Sequence, residues 1–180
     1  MRNVPFKSKL SNYRNIENRN KVFNSLKKEE QRREIAFDAL KLLSVGKIKA
    51  YGGQYWGDKL EDLSNDIYTS TQFQNKLIKN LPNKCEVCAR GAMMVSQIRL
   101  GNSIYPYDEN RRCGSSNNIK GFNINDFIKM EKEFEWSHYN HSYESGSNKK
   151  LANILCNVIK NGNFRVGDKT DYVTTWKIKV

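Results

Sequence analysis

The stretch Cys85-Glu86-Val87-Cys88-Ala89-Arg90-Gly91-Ala92-Met93-Met94-Val95-Ser96-Gln97-Ile98-Arg99-Leu100 sets the expectation for the whole fold. Cys85, Cys88, Ala92 and Val95 recur at helical steps, and Val87, Gly91, Met94 and Ile98 make a second apolar side, so the spacing predicts one helix. A helix apolar on two sides is covered by neighbours rather than laid on a surface. Gly91 lowers helix propensity by about 1 kcal/mol relative to Ala, which marks a close approach of another backbone. The reading is a central cysteine-bearing helix, closed by Gly101-Asn102.

Working outward, Leu26, Ile35, Ala36, Ala39, Leu40, Leu42 and Leu43 predict a helix from about Asn24 to Val45, with Gly46 as its left-handed cap. A short helix from Gln72 to Leu81 is stopped by Pro82. Asn123 or Asn125 caps a helix whose Ile124, Phe127, Ile128, Glu131, Phe134 and His138 share a side. Leu151, Ile154, Leu155, Val158 and Ile159 form the stripe of another, ended by Asn161-Gly162. Lys47 to Tyr51 alternates as a strand, with Gly52-Gly53 turning it back through Gln54-Tyr55-Trp56. Tyr172 to Val180 alternates likewise, with Trp176, Ile178 and Val180 inward and Lys177 and Lys179 outward. Together these predict a single α+β domain over 24–180, with about four main helices around the cysteine-bearing one and a small antiparallel sheet. Residues 1–23 are polar and basic without a sustained period, and read as an arm, flexible until a partner orders it.

Composition bounds the function. At 180 residues, with four cysteines, the chain has the size of one domain and lacks the cysteine density of a disulfide scaffold. Mean hydropathy is −0.78, and no run nears the roughly 18 apolar residues of a membrane span. The opening Met1-Arg2-Asn3-Val4-Pro5 lacks the apolar stretch of a secretory signal, so the cytoplasm, a reducing compartment, is the expected location. Lys plus Arg number 31 against 19 Asp plus Glu, a net charge of +12. The surplus sits at the ends: residues 1–49 are net +8, residues 50–110 net −1 and residues 111–180 net +5. Such a field attracts polyanions, although a net charge far from zero also serves solubility.

Basic residues interleaved with aromatics are the signal for nucleic acid, because cations neutralise phosphates while rings stack on bases. The candidates are Arg14, Arg19, Lys27, Lys28, Arg32, Arg33, Lys47, Lys49, Tyr51, Tyr55, Arg111, Arg112, Lys177 and Lys179. If the strands carrying Lys47, Lys49, Lys177 and Lys179 pair, they present a lysine-studded face. RNA is favoured over DNA as the partner, or a host ribonucleoprotein; a membrane is not.

Cys85-x-x-Cys88 with His138-x-x-His141 is the one arrangement with metal-ligand spacing, and zinc is the metal such a donor set would take. The competing reading is core packing, since free cysteine behaves as a small hydrophobe. GxxxxGK[ST], GxGxxG after a strand, GxSxG and HExxH are all absent from the sequence, which disfavours catalysis.

The Cys85 to Ser96 segment resembles a CxVCAxGA-type helix of uncharacterised bacteriophage and prophage proteins. Leu42 to Lys49 followed by Tyr51-Gly52-Gly53, and Leu151 to Gly162, are similar to the same set. That resemblance implies a phage accessory role such as anti-defence, with anti-CRISPR proteins as one such group. The resulting expectation is a non-catalytic inhibitor that binds nucleic acid or a ribonucleoprotein such as a CRISPR effector. Two alternatives stand beside it: a zinc- or thiol-dependent enzyme on Cys85, Cys88, His138 and His141, and a binder of an acidic protein or a nucleotide messenger.

Overall fold

The structure, a computed structural model, describes residues 3–52, 59–60, 70–101, 119–135 and 145–180. In chain order the described elements are α1 (Ile16–Ser25), α2 (Lys28–Ser44), β1 (Ile48–Ala50), α3 (Ser70–Lys79), β2 (Cys85–Val87), α4 (Ala89–Gly101), α5 (Ile124–Glu135), α6 (Ser145–Asn161) and α7 (Tyr172–Thr175). This is an α+β domain with α4 at its centre. Every residue of α4 except Arg99 is buried, and the helix packs against α1, α2, α3, α5 and β2. The most extensive helix contact joins α2 to α6. Among the described residues, no helix is long and apolar enough to cross a membrane.

The sheet corrects the expected antiparallel pairing. β1 and β2 are parallel, in the register Ile48 to Cys85, Lys49 to Glu86 and Ala50 to Val87. Parallel strands need a long crossover, and the segment holding α3 supplies it. The cysteine stretch is likewise two elements rather than one helix. Cys85 and Val87 are buried while Glu86 is not, a period of two read at first as helical. The helix starts after Cys88, whose Sγ accepts from Gly91 N at 3.4 Å.

The expected strand over 172–180 is also overturned. Asp171 accepts from Thr174 N at 3.1 Å and from Thr174 Oγ1 at 2.9 Å, capping α7 against the β propensity of Val173-Thr174-Thr175-Trp176. Tyr172 and Trp176, one turn apart, pack with ring centroids 4.9 Å apart. Lys177 adopts φ 50°, and Ile178 N bonds Val173 O at 2.9 Å, a Schellman ending without glycine. Lys177 and Lys179 therefore share no sheet with Lys47 and Lys49.

The expected helix from Asn24 breaks at Leu26-Lys27, where Lys27 N donates to Glu30 Oε2 at 3.2 Å to start α2. At its other end Gly46, at φ 69°, closes α2 as the sequence indicates. Asn123 caps α5 in a reciprocal pair, donating from N to Asp126 Oδ2 and accepting at Oδ1 from Asp126 N, each at 3.0 Å. The face of α5 differs from expectation: Phe127, Met130 and Phe134 are buried, whereas Ile124 and Ile128 are exposed. Within residues 1–23, the expected arm, Val4 and Leu10 lie in the core, and Phe6 meets Phe37 edge-on at 5.2 Å. Ser8 Oγ and Lys9 N both donate to Glu34 at 2.6 Å, holding this segment on α2.

Two arginines lock the layers. Arg32 on α2 donates from Nε to Gly162 O and from Nη1 to Gly121 O, each at 2.5 Å. Both glycines have positive φ, and both abut α2: a Cβ on Gly121 would lie 2.7 Å from Lys28 O, and one on Gly162 would lie 2.4 Å from Glu29 Cγ. Arg99 on α4 donates to Asp38 Oδ2 at 3.0 Å and to Leu77 O at 2.6 Å, while its own carbonyl accepts from Arg19 Nη2 at 2.6 Å. It thereby joins α4 to α2, α3 and α1.

Removing the Arg32 fork leaves two carbonyls without a charged donor, so Arg32→Met is expected to lower the unfolding free energy by about 2–3 kcal/mol. Arg33→Met is the contrast, because among the described residues Arg33 pairs with the exposed Glu29 one turn away on the same helix, and its loss should stay within about 0.5 kcal/mol. Urea unfolding of both variants checks the difference. Equal losses would show that Arg32 contributes only as surface charge.

Candidate functional site

The structure separates the basic candidates into engaged and unengaged groups. Arg19, Arg32 and Arg33 make the contacts just described. Lys47 Nζ donates to Leu81 O at 2.9 Å, and Lys49 lies 3.9 Å from its cross-strand partner Glu86. Arg14, Lys27, Lys28, Lys177 and Lys179 are exposed, as is Tyr51. They are dispersed: Arg14 precedes α1, Lys27 and Lys28 stand at the start of α2, Tyr51 follows β1, and Lys177 and Lys179 follow α7. Tyr55, Arg111 and Arg112 lie outside the described residues, as do His138 and His141.

Cys85 and Cys88 are buried, and Cys156 is buried within α6. Burial pushes the Cys85 thiol up from its ordinary value, as it does that of Cys156. A raised thiol pKa reduces the thiolate, which is the form that attacks or ligates. Among the described residues, no group of three or more His, Cys, Asp or Glu side chains is placed to hold a metal ion.

A different region gathers cationic side chains around a cavity. Three asparagines, Asn153, Asn157 and Asn161, follow one another at four-residue steps along α6 and hold the loop that runs from its end to α7. Asn157 is buried and grips the main chain of Arg165 on both sides: Nδ2 donates to Arg165 O at 3.0 Å, and Oδ1 accepts from Arg165 N at 2.9 Å. Asn153 Oδ1 accepts from Val173 N at 3.0 Å. Asn161 Nδ2 donates to Asp168 Oδ2 at 3.0 Å. Gly167, at φ 86°, sits where the chain turns from Arg165 to Asp168, and Asp168 N closes that turn on Arg165 O at 3.4 Å, as in a type II turn.

The fixed loop and α6 enclose a cleft of about 160 Å³. Lys150, Arg165, Lys169, Asn153, Thr170 and Glu133 of α5 line it, and beneath them Ile154 and Phe164 belong to the buried core. Among the described residues, none of the three cations has a salt-bridge partner. Burial lowers the Lys150 ammonium pKa from its ordinary value, Glu133 opposing the shift and Lys169 adding to it. An anion entering here would relieve the repulsion between the lysines.

Besides Glu133, which acts on Lys150, the nearby carboxylates Asp168 and Asp171 have partners of their own. Asp168 accepts from Tyr172 Oη at 2.5 Å, from Asn161 and from Thr170 N at 3.2 Å, and Asp171 pairs with Lys149 at 2.7 Å. Residues 145–180 hold seven Lys and Arg against these two acids, a local net of +5. Sequence reading missed Lys150, Arg165 and Lys169, because no motif joins them. The asparagine repeat in α6 was the available signal, since buried amides at one helical face need partners.

Comparison with protein-family models, with curated proteins and with solved structures returned no match.

Asp168 is held well below the usual carboxylate range, chiefly by the Tyr172 hydroxyl, and Asp171 likewise, chiefly by Lys149. A carboxylate with a lowered folded pKa contributes stability that is present above its unfolded value of about 4 and is lost as pH falls toward the folded one. The melting temperature is therefore expected to drop between about pH 5 and pH 2, and Asp168→Asn should flatten part of that slope. Parallel melting profiles for the two proteins would remove Asp168 from the explanation.

Proposed function

We propose that this chain is a non-catalytic, phage-type anti-defence protein of the anti-CRISPR kind, binding RNA in preference to DNA, or a host ribonucleoprotein, through its basic surface and inhibiting it. The observation that carries the polyanion part is the C-terminal cleft, lined by Lys150, Arg165 and Lys169 against two lining carboxylates, Glu133 and Asp168, of which Asp168 is tied to Tyr172 and Asn161. A cation whose counter-charge is already engaged is available to phosphate; one in an internal ion pair is not. The anti-defence part rests on the resemblance of the Cys85 to Ser96 segment to phage proteins. The dispersed exposed cations, Arg14, Lys27, Lys28, Lys177 and Lys179, would add long-range attraction rather than a defined contact.

Fluorescence anisotropy with single-stranded RNA, duplex DNA and a guide-loaded effector, between about 50 and 200 mM salt, tests this. Affinity should fall steeply with salt. The triple variant Lys150→Gln/Arg165→Gln/Lys169→Gln should shallow the logarithmic slope by roughly 2, because about 0.7 of a counterion is released per single-strand phosphate contact. Absence of binding to all three partners at low salt would overturn the reading. Capture of a cellular partner that survives nuclease treatment would transfer the function to an acidic protein.

A further inference from the structure

Residues 3–10 lie on α2 as an extended segment whose side chains alternate: Val4, Phe6, Ser8 and Leu10 turn inward, whereas Pro5, Lys7 and Lys9 are exposed. That alternation is a strand's, yet among the described residues the sheet consists of β1 and β2, and no ladder holds the segment. Its bonds from Phe6 N to Val4 O and from Leu10 N to Ser8 Oγ stay within it. Among the described residues, Lys9 N to Glu34 Oε1, at 2.6 Å, is the backbone bond that ties it to another element. The five residues that follow, 11–15, are all exposed. Beyond them α1 is secured separately: Phe23 is buried against Gly101, Arg19 Nη2 donates to Arg99 O, and the side chains of Asn20 and Gln74 bond each other. Residues 3–10 can therefore leave α2 without carrying α1 with them.

The clasp is Glu34, 2% exposed, which accepts from Ser8 Oγ and Lys9 N. A carboxylate loses its hydration on burial, and two neutral donors return only part of it. The charges around it do not supply the rest. Glu30 and Asp38 stand one turn to either side on α2, Lys9 pairs with Glu30 instead, Arg99 of α4 is bonded to Asp38, and Arg19 of α1 faces that same Asp38. Burial accordingly raises the Glu34 carboxyl from its ordinary value, the bonds from Ser8 and Lys9 opposing the shift and Asp38 adding to it. Closure thus sets the burial of Val4, Leu10 and, edge-on against Phe37, Phe6 against the ordering of the segment and the dehydration of Glu34, which are of comparable size.

We infer that residues 3–10 are a strap that opens while the rest of the domain stays folded, returning Glu34 to water and releasing Lys9 from Glu30 to a polyanion. The opening rests on the strap's own contacts. Its partner rests on the polyanion reading, which the strap deepens by making closure an autoinhibitory contact. By linkage, a ligand that prefers the open form opens the strap, and a change that closes the strap weakens that ligand by the same factor. A proton acts in the opposite direction. A carboxyl whose pKa is raised in the closed form is protonated there first, so closure strengthens as pH falls from neutral toward about 4.5. Glu30, whose carboxyl the bond from Lys9 lowers, loosens the strap only below about pH 4.

Hydrogen exchange on the full chain, read at single amides by NMR and corrected for intrinsic rates, tests the strap. At neutral pH the Lys9 amide is expected to exchange at least about tenfold faster than the Phe23 amide in α1. Glu34→Gln, which keeps an acceptor for Lys9 N and removes the buried charge, should slow Lys9 exchange by about threefold or more and abolish its slowing toward about pH 4.5. A single-stranded oligoadenylate should speed Lys9 exchange in the wild type and bind Glu34→Gln about threefold more weakly. Coincident exchange of Lys9 and Phe23 overturns the strap, and so does faster Lys9 exchange in Glu34→Gln, which would make the charge a clamp. Melting curves establish that the variant is folded; if it is not, faster wild-type Lys9 exchange at about pH 4.5 than at neutral pH overturns the same point. An oligomer that binds without changing Lys9 exchange overturns the autoinhibitory contact and leaves the polyanion reading standing. If the oligomer does not bind, the polyanion reading falls, and the exchange rates alone decide whether the strap opens.

Discussion

The guanidinium of Arg32 is the constraint on which the remaining geometry hangs. It reaches from α2 to the carbonyls of Gly121, just before α5, and Gly162, just after α6, so one planar fork fixes where two helices begin and end. Only a residue with several donors in a fixed plane can address two carbonyls on separate segments, and lysine would supply a point charge instead. The two glycines complete the lock. Each takes a positive φ and lies against α2 where a Cβ would collide, Gly121 with the backbone carbonyl of Lys28 and Gly162 with the side chain of Glu29. α6, placed this way, makes with α2 the most extensive helix contact in the domain and carries one wall of the cleft.

From α6 the chain continues into a loop whose conformation is dictated by side-chain amides rather than by a sheet. Asn157 substitutes for a neighbouring strand by bonding both the N–H and the C=O of Arg165, and Asn153 and Asn161 secure the loop further along. The consequence is electrostatic. The loop is held so that Asp168 bonds Tyr172 and Asn161, and among the described residues the cleft cations Lys150, Arg165 and Lys169 form no salt bridge. Net charge alone does not produce such a site: Arg19, Arg32, Arg33, Lys47 and Lys49 are equally basic in the sequence, yet all donate within the fold or face a carboxylate.

Three helix ends were readable from their own chemistry. Gly46 after α2, Asn123 before α5 and Gly162 after α6 all act at the ends where their residue types place them. The misreadings share a cause. In Cys85 to Cys88 an alternation of two and a step of three use the same residues, and only pairing with Ile48 to Ala50 distinguishes them. In Tyr172 to Val180 a single cap, Asp171 on Thr174, outweighs a run of β-prone residues. Of the expected α5 stripe, Phe127 and Phe134 are buried, joined by Met130, whereas Ile124 and Ile128, placed on it by spacing, are exposed because the covered face is turned from them.

By itself, then, the sequence determined the α+β class, the buried centre around Ala92 to Ile98 and the positive bias of both ends, because periodicity, caps and charge are local properties that each segment carries with it. The tertiary structure alone decided that the strands run parallel, which cations remain available, and that Lys150, Arg165 and Lys169 meet around one cleft. The physical reason is that an ion pair or a hydrogen bond across the fold removes a charge from service, and such partners, like Arg32 and Gly162 or Lys49 and Glu86, are neighbours only in space.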